Sequence, residues 1–317
     1  MDKQITNSVF MIRPVSFHMN EETAVNNYYQ KQSSRVNAAT SQAKALNQFD
    51  NLVERLRAEG VDVIVIEDTP DPVTPDSIFP NNWISTHQDG SLRLYPMFAE
   101  NRRNERREDI IALLKSNFQV GEIVSYADWE RKSAFLEGTG SVILDRVNKI
   151  AYAGISDRTM PEVLDAFCEE TGYQQVIFSA MQTVEGKRLP IYHTNVMMCV
   201  GEAFAVVCLD SIDNPEERAL LVQHLKGTGK EIVEISEVQK ANFAGNMLQI
   251  IGHNDQRLIV MSRAAWESLT EEQKNRLSVH GKLVYSDINM IEKLGGGSVR
   301  CMIAENFLPE RKTHAGA

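Results

Sequence analysis

Leu294-Gly-Gly-Gly-Ser-Val-Arg-Cys-Met-Ile303, near the C-terminal end, is the stretch on which the reading of the whole chain turns. Three consecutive glycines let a backbone take φ values closed to other residues and approach a ligand closely. They deliver the chain to Cys301, which sits in a short apolar run. The string suits a nucleophilic thiol beside a glycine-lined space. It equally suits a flexible turn before a strand that carries a small buried hydrophobe. The run Val299 to Ile303 needs a partner strand and a helix, and the opposite end of the chain supplies both. Val9 to Arg13 reads as a strand stopped by Pro14. Asn37 to Glu59 is a helical pattern, with Ala45, Phe49, Leu52, Val53 and Leu56 at helical spacing and Gly60 ending it. Val61 to Ile66 is a further strand. The two ends of the chain are therefore expected to close one unit between them.

The same strand–strand–helix–strand order recurs four more times. Trp83 to His87 and Leu92 to Tyr95 flank a Gln-Asp-Gly hairpin signal, followed by a charged helix from Asn104 to Asn117 and a strand at Val120 to Val124. Gly140 to Leu144, Ile150 to Ala153, helix Pro161 to Glu170 and Gln175 to Phe178 make the next copy. Val196 to Val200, Ala203 to Cys208, helix Pro215 to Lys226 and Glu231 to Ile235 follow. Met247 to Ile251, Leu258 to Met261, helix Glu271 to Leu277 and Lys282 to Tyr285 complete the set. Openings at Trp83, Gly140, Val196, Met247 and Val299 recur every 51 to 57 residues. A period of that size means modules that bury a shared core. Five of them, closed through the termini, predict a single α/β domain over residues 1–317, a five-bladed α/β propeller of ββαβ units with pseudo-fivefold symmetry.

Composition narrows the partners. Lys and Arg total 33 against 43 Asp and Glu, a net charge of −10. The run Arg102-Arg103-Asn-Glu-Arg106-Arg107 reads as a solvated helix face, so nucleic-acid and membrane-surface binding are disfavoured. No apolar run approaches the length of a membrane span. Cys168, Cys199, Cys208 and Cys301 show no zinc or redox spacing, which points to reduced thiols in the cytoplasm.

In a ring, the residues just before each opening strand meet at the centre. They are Asn81-Asn82, Glu137, His193, Asn246 and, just inside its run, Cys301. A thiol, an imidazole and a carboxylate in one register suit attack on an electrophilic sp² carbon. Cys301 is the candidate nucleophile. His193 can protonate a leaving nitrogen and then activate water. Glu137 can accept N–H groups of a planar substrate or support the imidazole. No metal or organic cofactor is called for. Arg13, Arg93, Arg131 and Arg300 are all candidates by position to anchor an anionic substrate group, and the sequence does not choose among them.

These segments resemble motifs of the guanidino-group-modifying (pentein) superfamily, which includes arginine deiminase, dimethylarginine dimethylaminohydrolase and arginine:glycine amidinotransferase. The matching strings are Asp76-Ser-Ile-Phe-Pro-Asn-Asn82, Leu136-Glu137-Gly-Thr-Gly, His193-Thr-Asn195 and Gly295-Gly-Gly-Ser-Val-Arg-Cys301-Met. Each is short; four in order at blade spacing are specific. The resemblance implies Cys301 as nucleophile, His193 as general acid/base, and Glu137 with Asp76 on substrate nitrogens. Phe-Pro-Asn-Asn-Trp and Leu-Glu-Gly-Thr-Gly-Ser look most like the citrulline-utilisation hydrolase branch.

Asn82 and Asn195 stand where arginine deiminases hold carboxylates. An amide donates as well as accepts, whereas a carboxylate only accepts. Two amides suit a ureido group, whose carbonyl oxygen needs donors, better than a guanidinium, and Asn246 extends the same polar lining. The expected activity is hydrolysis of L-citrulline to L-ornithine, CO2 and NH3 by an amidinotransferase-family hydrolase of arginine metabolism. The alternatives are an arginine or methylarginine deiminase, an amidinotransferase, or a non-catalytic ribosome-binding propeller. A homodimer is the default expectation for assembly.

Overall fold

The computed structural model describes residues 2–31 and 38–311. Five three-stranded sheets share one topology, in which the opening strand is antiparallel to the second and the second is parallel to the third. A helix makes the parallel connection in each case, as a crossover requires. The first sheet joins Ala304–Glu305 to Ser8–Arg13 and Asp62–Glu67, with Val9 opposite Glu305 and Val63. One sheet thus holds strands from near both ends of the sequence. The others are Ile84–Thr86, Leu92–Leu94 and Ile123–Ser125; Val142–Asp145, Ile150–Gly154 and Gln174–Phe178; Met198–Val200, Phe204–Val207 and Glu231–Glu234; and Leu248–Ile251, Arg257–Ser262 and Lys282–Ser286.

Strand residues alternate between the two faces of a sheet, and here both faces are covered. In the first sheet Val9 and Met11 join a core cluster with Leu248, Ile250 and Val260 of the fifth. Phe10 and Ile12 face the other way, into a cluster with Ile84, Leu92 and Leu94 of the second. In the third sheet Val142, Leu144 and Ala151 pack towards Tyr95 and Tyr126 of the second unit. Ile143, Ile150 and Tyr152 pack towards Met198 and Val206 of the fourth. In the fifth, Ile259 and Met261 face the fourth while Leu258 and Val260 face the first. Each unit thus shares a core with the next, and the last with the first. Strands buried on both faces explain the unbroken apolar runs in the sequence, and each such side chain contributes about 1.5–3 kcal/mol by burial.

Several expected boundaries shift for a common reason. The strands at Gly140, Val196 and Val299 begin later than the apolar runs do. One helical turn precedes each: Gly138–Ser141, Thr194–Val196 and Val299–Met302, with Pro80–Asn82 before the second sheet. Cys301 therefore lies on a helical turn, and only Ala304–Glu305 continues as strand. Four-residue turns carry no periodicity, so their apolar residues read as strand. The crossover helix of the first sheet is Ala38–Ala58; Asn37, where the pattern starts, lies outside the described residues. The charged helix begins at Glu108, after a separate 3-10 turn Asn101–Glu105. A hairpin, Met181–Val184 with Lys187–Pro190, and the helices Glu21–Ala24, Glu237–Ala241 and Asn289–Gly295 add to the repeat.

Candidate active site

The helical turns before the sheets bring the sequence candidates together. His193 Nε2 lies 2.7 Å from Glu137 Oε2, and both side chains are buried. Cys301 Sγ accepts hydrogen bonds from Asn195 Nδ2 and Asn246 Nδ2, each at 3.3 Å. The Asn246 amide also donates to Asn195 O and accepts from the Arg300 backbone N–H, which ties the two loops to the cysteine turn. Asn82 Oδ1 accepts from Arg102 Nη1 at 2.8 Å, and its amide nitrogen donates to Asn81 Oδ1. Asp76 Oδ2 accepts from Asn20 Nδ2 and Thr23 Oγ1.

Two glycines make this approach possible. A Cβ on Gly140 would stand 2.4 Å from Asn82 Nδ2 and 2.8 Å from His193 Nδ1. Gly138, with φ +48, passes so near the carbonyl oxygens of Asn81 and Asn82 that no side chain fits there.

Charge is arranged unevenly. Burial works against the Glu137 carboxylate, yet Arg158, His193 and Arg102 together pull its pKa down to about 2. Burial pushes His193 the other way, to about 4, with Glu137 opposing and the two arginines adding to the effect. The pair is an ionised carboxylate and a neutral imidazole, with the Nε2 proton assigned to the bond with Glu137. Burial raises the Cys301 thiol; hydrogen bonds from the Ser298 backbone, Asn246 and Asn195 oppose it without overcoming it. Burial opposes the charge of Arg102 as well, but Glu105, Asp76 and Glu137 hold its pKa above the ordinary value.

Arg102 and Arg158 were not among the sequence candidates. Arg102 forms a fork with Glu105, at 2.8 and 2.9 Å, and lies 3.9 Å from both Asp76 and Glu137. The run around it does not form one solvated face: the 3-10 turn points Arg102 inward, 2 % exposed. Its polar neighbours hid it, since a charge-rich string gives no clue to which member turns in. Arg158 lies 3.6 Å from Glu137 and donates to Thr23 O and Asn26 Oδ1. The four arginines proposed as anchors are engaged elsewhere. Arg13 pairs with Asp50, Arg93 with Glu170 and Tyr126, and Arg131 with Asp128; the Arg300 side chain turns to Glu305 and Ile303 O.

Residues 20–31 form a strap over the site. Asn20 and Thr23 bind Asp76, Asn27 and Gln30 donate to Gly295 O, and the Lys31 N–H donates to Lys293 O. Beneath it Cys301 is 3 % exposed and His193 2 %. Two acceptors in the enclosed site, Asp76 Oδ1 and Asn195 Oδ1, are buried without a hydrogen-bond partner. Among the described residues no group of three or more His, Cys, Asp and Glu could hold a metal ion.

Repeated α/β units that pair His193 with Glu137, and seat Cys301 against Asn195 two residues beyond that histidine, belong with the match that places the chain in the guanidino-group-modifying, or pentein, superfamily. Within it, residues 13–308 match the family described as N,N dimethylarginine dimethylhydrolase, eukaryotic, and the chain belongs to that family. Solved structures agree on the fold. The apo structure of ArgZ, an arginine dihydrolase from the ornithine–ammonia cycle in cyanobacteria, superposes with a TM-score of 0.72 at 16% identity over 96% of this chain. This chain spans only 41% of that protein's length. It covers 99% of the ArgZ N-terminal domain bound to substrate, with a TM-score of 0.71, 17% identity and 95% of this chain covered. An adduct of dimethylarginine dimethylaminohydrolase with S-methyl-L-thiocitrulline gives 0.60 at 16% identity, covering 96% of this chain and 100% of that one. A search of curated protein sequences found no match. No helix among the described residues is long and apolar enough to cross a membrane.

Proposed function

We propose that this chain is a cysteine-dependent hydrolase that breaks a C–N bond of a ureido or guanidino amino acid, with L-citrulline as substrate and L-ornithine, CO2 and NH3 as products. The observations that carry the reading are two orphaned acceptors, Asp76 Oδ1 and Asn195 Oδ1, and a thiol held by the amides of Asn195 and Asn246. A buried acceptor left unpaired costs about 1–3 kcal/mol. A planar ligand rich in N–H donors relieves both at once. The groups flanking the sulfur favour the ureido form: Asn195 and Asn246 are amides that donate to Cys301 Sγ, where a guanidinium calls for carboxylates.

The steps follow from the side chains. Cys301 passes its proton to His193 Nδ1, the ring nitrogen not bound to Glu137, and the thiolate adds to the ureido carbon. Asn195 and Asn246 are the donors nearest the developing charge. The protonated His193, stabilised by Glu137, gives its proton to the leaving nitrogen, ammonia departs, and an S-carbamoyl thioester remains. Neutral His193 then takes a proton from water as it attacks the thioester. The thiol is restored, and the released carbamate decomposes to ornithine and CO2. Arg158 is the better-placed anchor for the substrate carboxylate, since it is held at the strap and already bridges to Glu137. Five units in one domain with neighbouring cores shared in cyclic order support a five-bladed propeller as the frame that points these groups inward.

A second reading, an arginine or methylarginine hydrolase, is favoured by the family description and by the arginine dihydrolase and dimethylarginine dimethylaminohydrolase structures. Ammonia and amine release measured side by side on citrulline, arginine and dimethylarginine decides between them. Turnover of citrulline at least tenfold faster supports the first; turnover of arginine or dimethylarginine with none of citrulline overturns it.

A further inference from the structure

Outside the catalytic cluster lies a cavity of about 520 Å³, between the end of the strap, the Met181–Pro190 hairpin and the helices Glu237–Ala241, Arg263–Ser268 and Asn289–Gly295. That volume is in the range that holds a small-molecule ligand. Its inner wall is aromatic. Tyr29 packs on Phe243 at 5.2 Å and on Tyr192 at 6.1 Å, and Tyr192 stacks on His193 at 4.6 Å between ring centroids. Two rings therefore separate the cavity from the catalytic imidazole.

The charged groups of this cavity are unusual for a surface hollow. Glu292 is buried, and burial raises its carboxyl to about 7; the charge of Asp287 adds to this, the hydroxyls of Ser262 and Ser298 oppose it, and no lysine or arginine contributes. On another wall Lys240 is also buried, its Nζ donating to Ser211 Oγ and Met181 O and lying 4.0 Å from Glu237. Burial lowers its pKa. Lys31 stands exposed at the rim. A buried acid, Lys31, Lys240 and Lys293, and aromatic faces that suit an ammonium line one space of amino-acid size.

We propose that this cavity is a second, non-catalytic site for a free zwitterionic α-amino acid, its ammonium at Glu292 and its carboxylate towards Lys240 and Lys31. Glu292 also links it to the thiol. Its Oε1 accepts from Ser298 Oγ at 2.7 Å, and Ser298 O accepts from the Cys301 N–H at 2.9 Å. A ligand ammonium that draws on Glu292 loosens or re-aims Ser298, and with it the turn that presents the sulfur. Binding at this site does not depend on the chemistry assigned to Cys301; only its effect on turnover does.

Equilibrium dialysis of the full chain with radiolabelled L-ornithine tests it. Wild type is expected to bind two equivalents. Ala264→Trp, which fills the cavity, binds one, and Glu292→Gln weakens the same equivalent at least tenfold. Putrescine, which lacks the carboxylate, competes for that equivalent at least tenfold less well than L-ornithine. Loss of a sole bound equivalent in Ala264→Trp supports the cavity site while counting against the catalytic reading. Binding that neither variant alters, whatever its stoichiometry, overturns the proposal, and equal competition by putrescine overturns its lysine half. Should Ala264→Trp fail to fold, Glu292→Gln carries the test alone.

Discussion

Asn195→Asp puts the specificity argument under the greatest strain. The Asn195 amide nitrogen lies 3.3 Å from Cys301 Sγ. A carboxylate oxygen in its place faces the sulfur at the same separation, with burial on all sides. Two unit charges 3.3 Å apart at an effective dielectric of 20 repel by about 5 kcal/mol, which lowers the thiolate population by between three and four orders of magnitude, roughly. Citrulline turnover at neutral pH is expected to fall by about the same factor. A guanidinium recovers part of that loss through a charge-assisted hydrogen bond of about 1.5–3 kcal/mol. The ratio of arginine to citrulline kcat/KM therefore rises at least tenfold, even as both rates fall. Thiolate absorbance near 240 nm, taken as a difference against Cys301→Ser, reports the ionisation; ammonia release reports the rates; a melting curve confirms the fold. An unchanged thiolate titration together with an unchanged substrate ratio would falsify the account of Asn195.

Other expectations follow from the same geometry. Gly140→Ala forces a methyl group against Asn82 and His193, so kcat is expected to drop at least a hundredfold while the melting temperature moves by only a few degrees; full activity means the two side chains are not held as described. Asn26→Ala removes the acceptor that Arg158 uses at the strap, and the loss of about 1–2 kcal/mol appears as faster amide exchange over residues 20–31, with no change there counting against a strap. Acid sensitivity has a definite sign. His193 is held near 4 in the folded chain, below its ordinary 6.5, so the unfolded state takes up a proton first and stability falls as pH drops from 6.5 towards 4. Glu137, lowered to about 2, contributes stability that is present above about 4.5 and lost as pH falls towards 2. Denaturant midpoints followed across this range should decline less steeply between 6.5 and 4 in His193→Asn; an identical slope removes His193 as the cause.

How much was legible beforehand depends on the kind of signal. The repeat could be read because strands buried on both faces leave unbroken apolar runs, and a crossover helix leaves a 3.6-residue pattern between them. Cys301, His193, Glu137, Asn82 and Asn246 could be picked out because they occupy the same place in successive copies, whereas Asn195 came from the resemblance; in the structure His193 pairs with Glu137, and Asn195 and Asn246 hold Cys301. The helical turns that hold them could not be read, since four residues show no period. Arg102 and Arg158 stayed hidden because a buried arginine looks like an exposed one until its partners are known. Glu105 is three residues from Arg102, but Asp76, Glu137 and Asn26 come from separate parts of the chain. The strap escaped for a similar reason: its bonds to Asp76 and Gly295 are contacts across tens to hundreds of positions, with no local pattern behind them.

The sheet that joins Val9 to Glu305 has a consequence for biosynthesis. On the ribosome the first of these strands emerges hundreds of residues before its neighbour exists. Contacts of such long sequence separation form slowly, and chains of this size fold through partly assembled states. Because the cysteine turn runs directly into the late strand, Cys301 is seated against Asn195 and Asn246 only once that strand docks. Under the mechanism proposed above, a nascent chain with His193 and Glu137 already paired still lacks the thiol beside them.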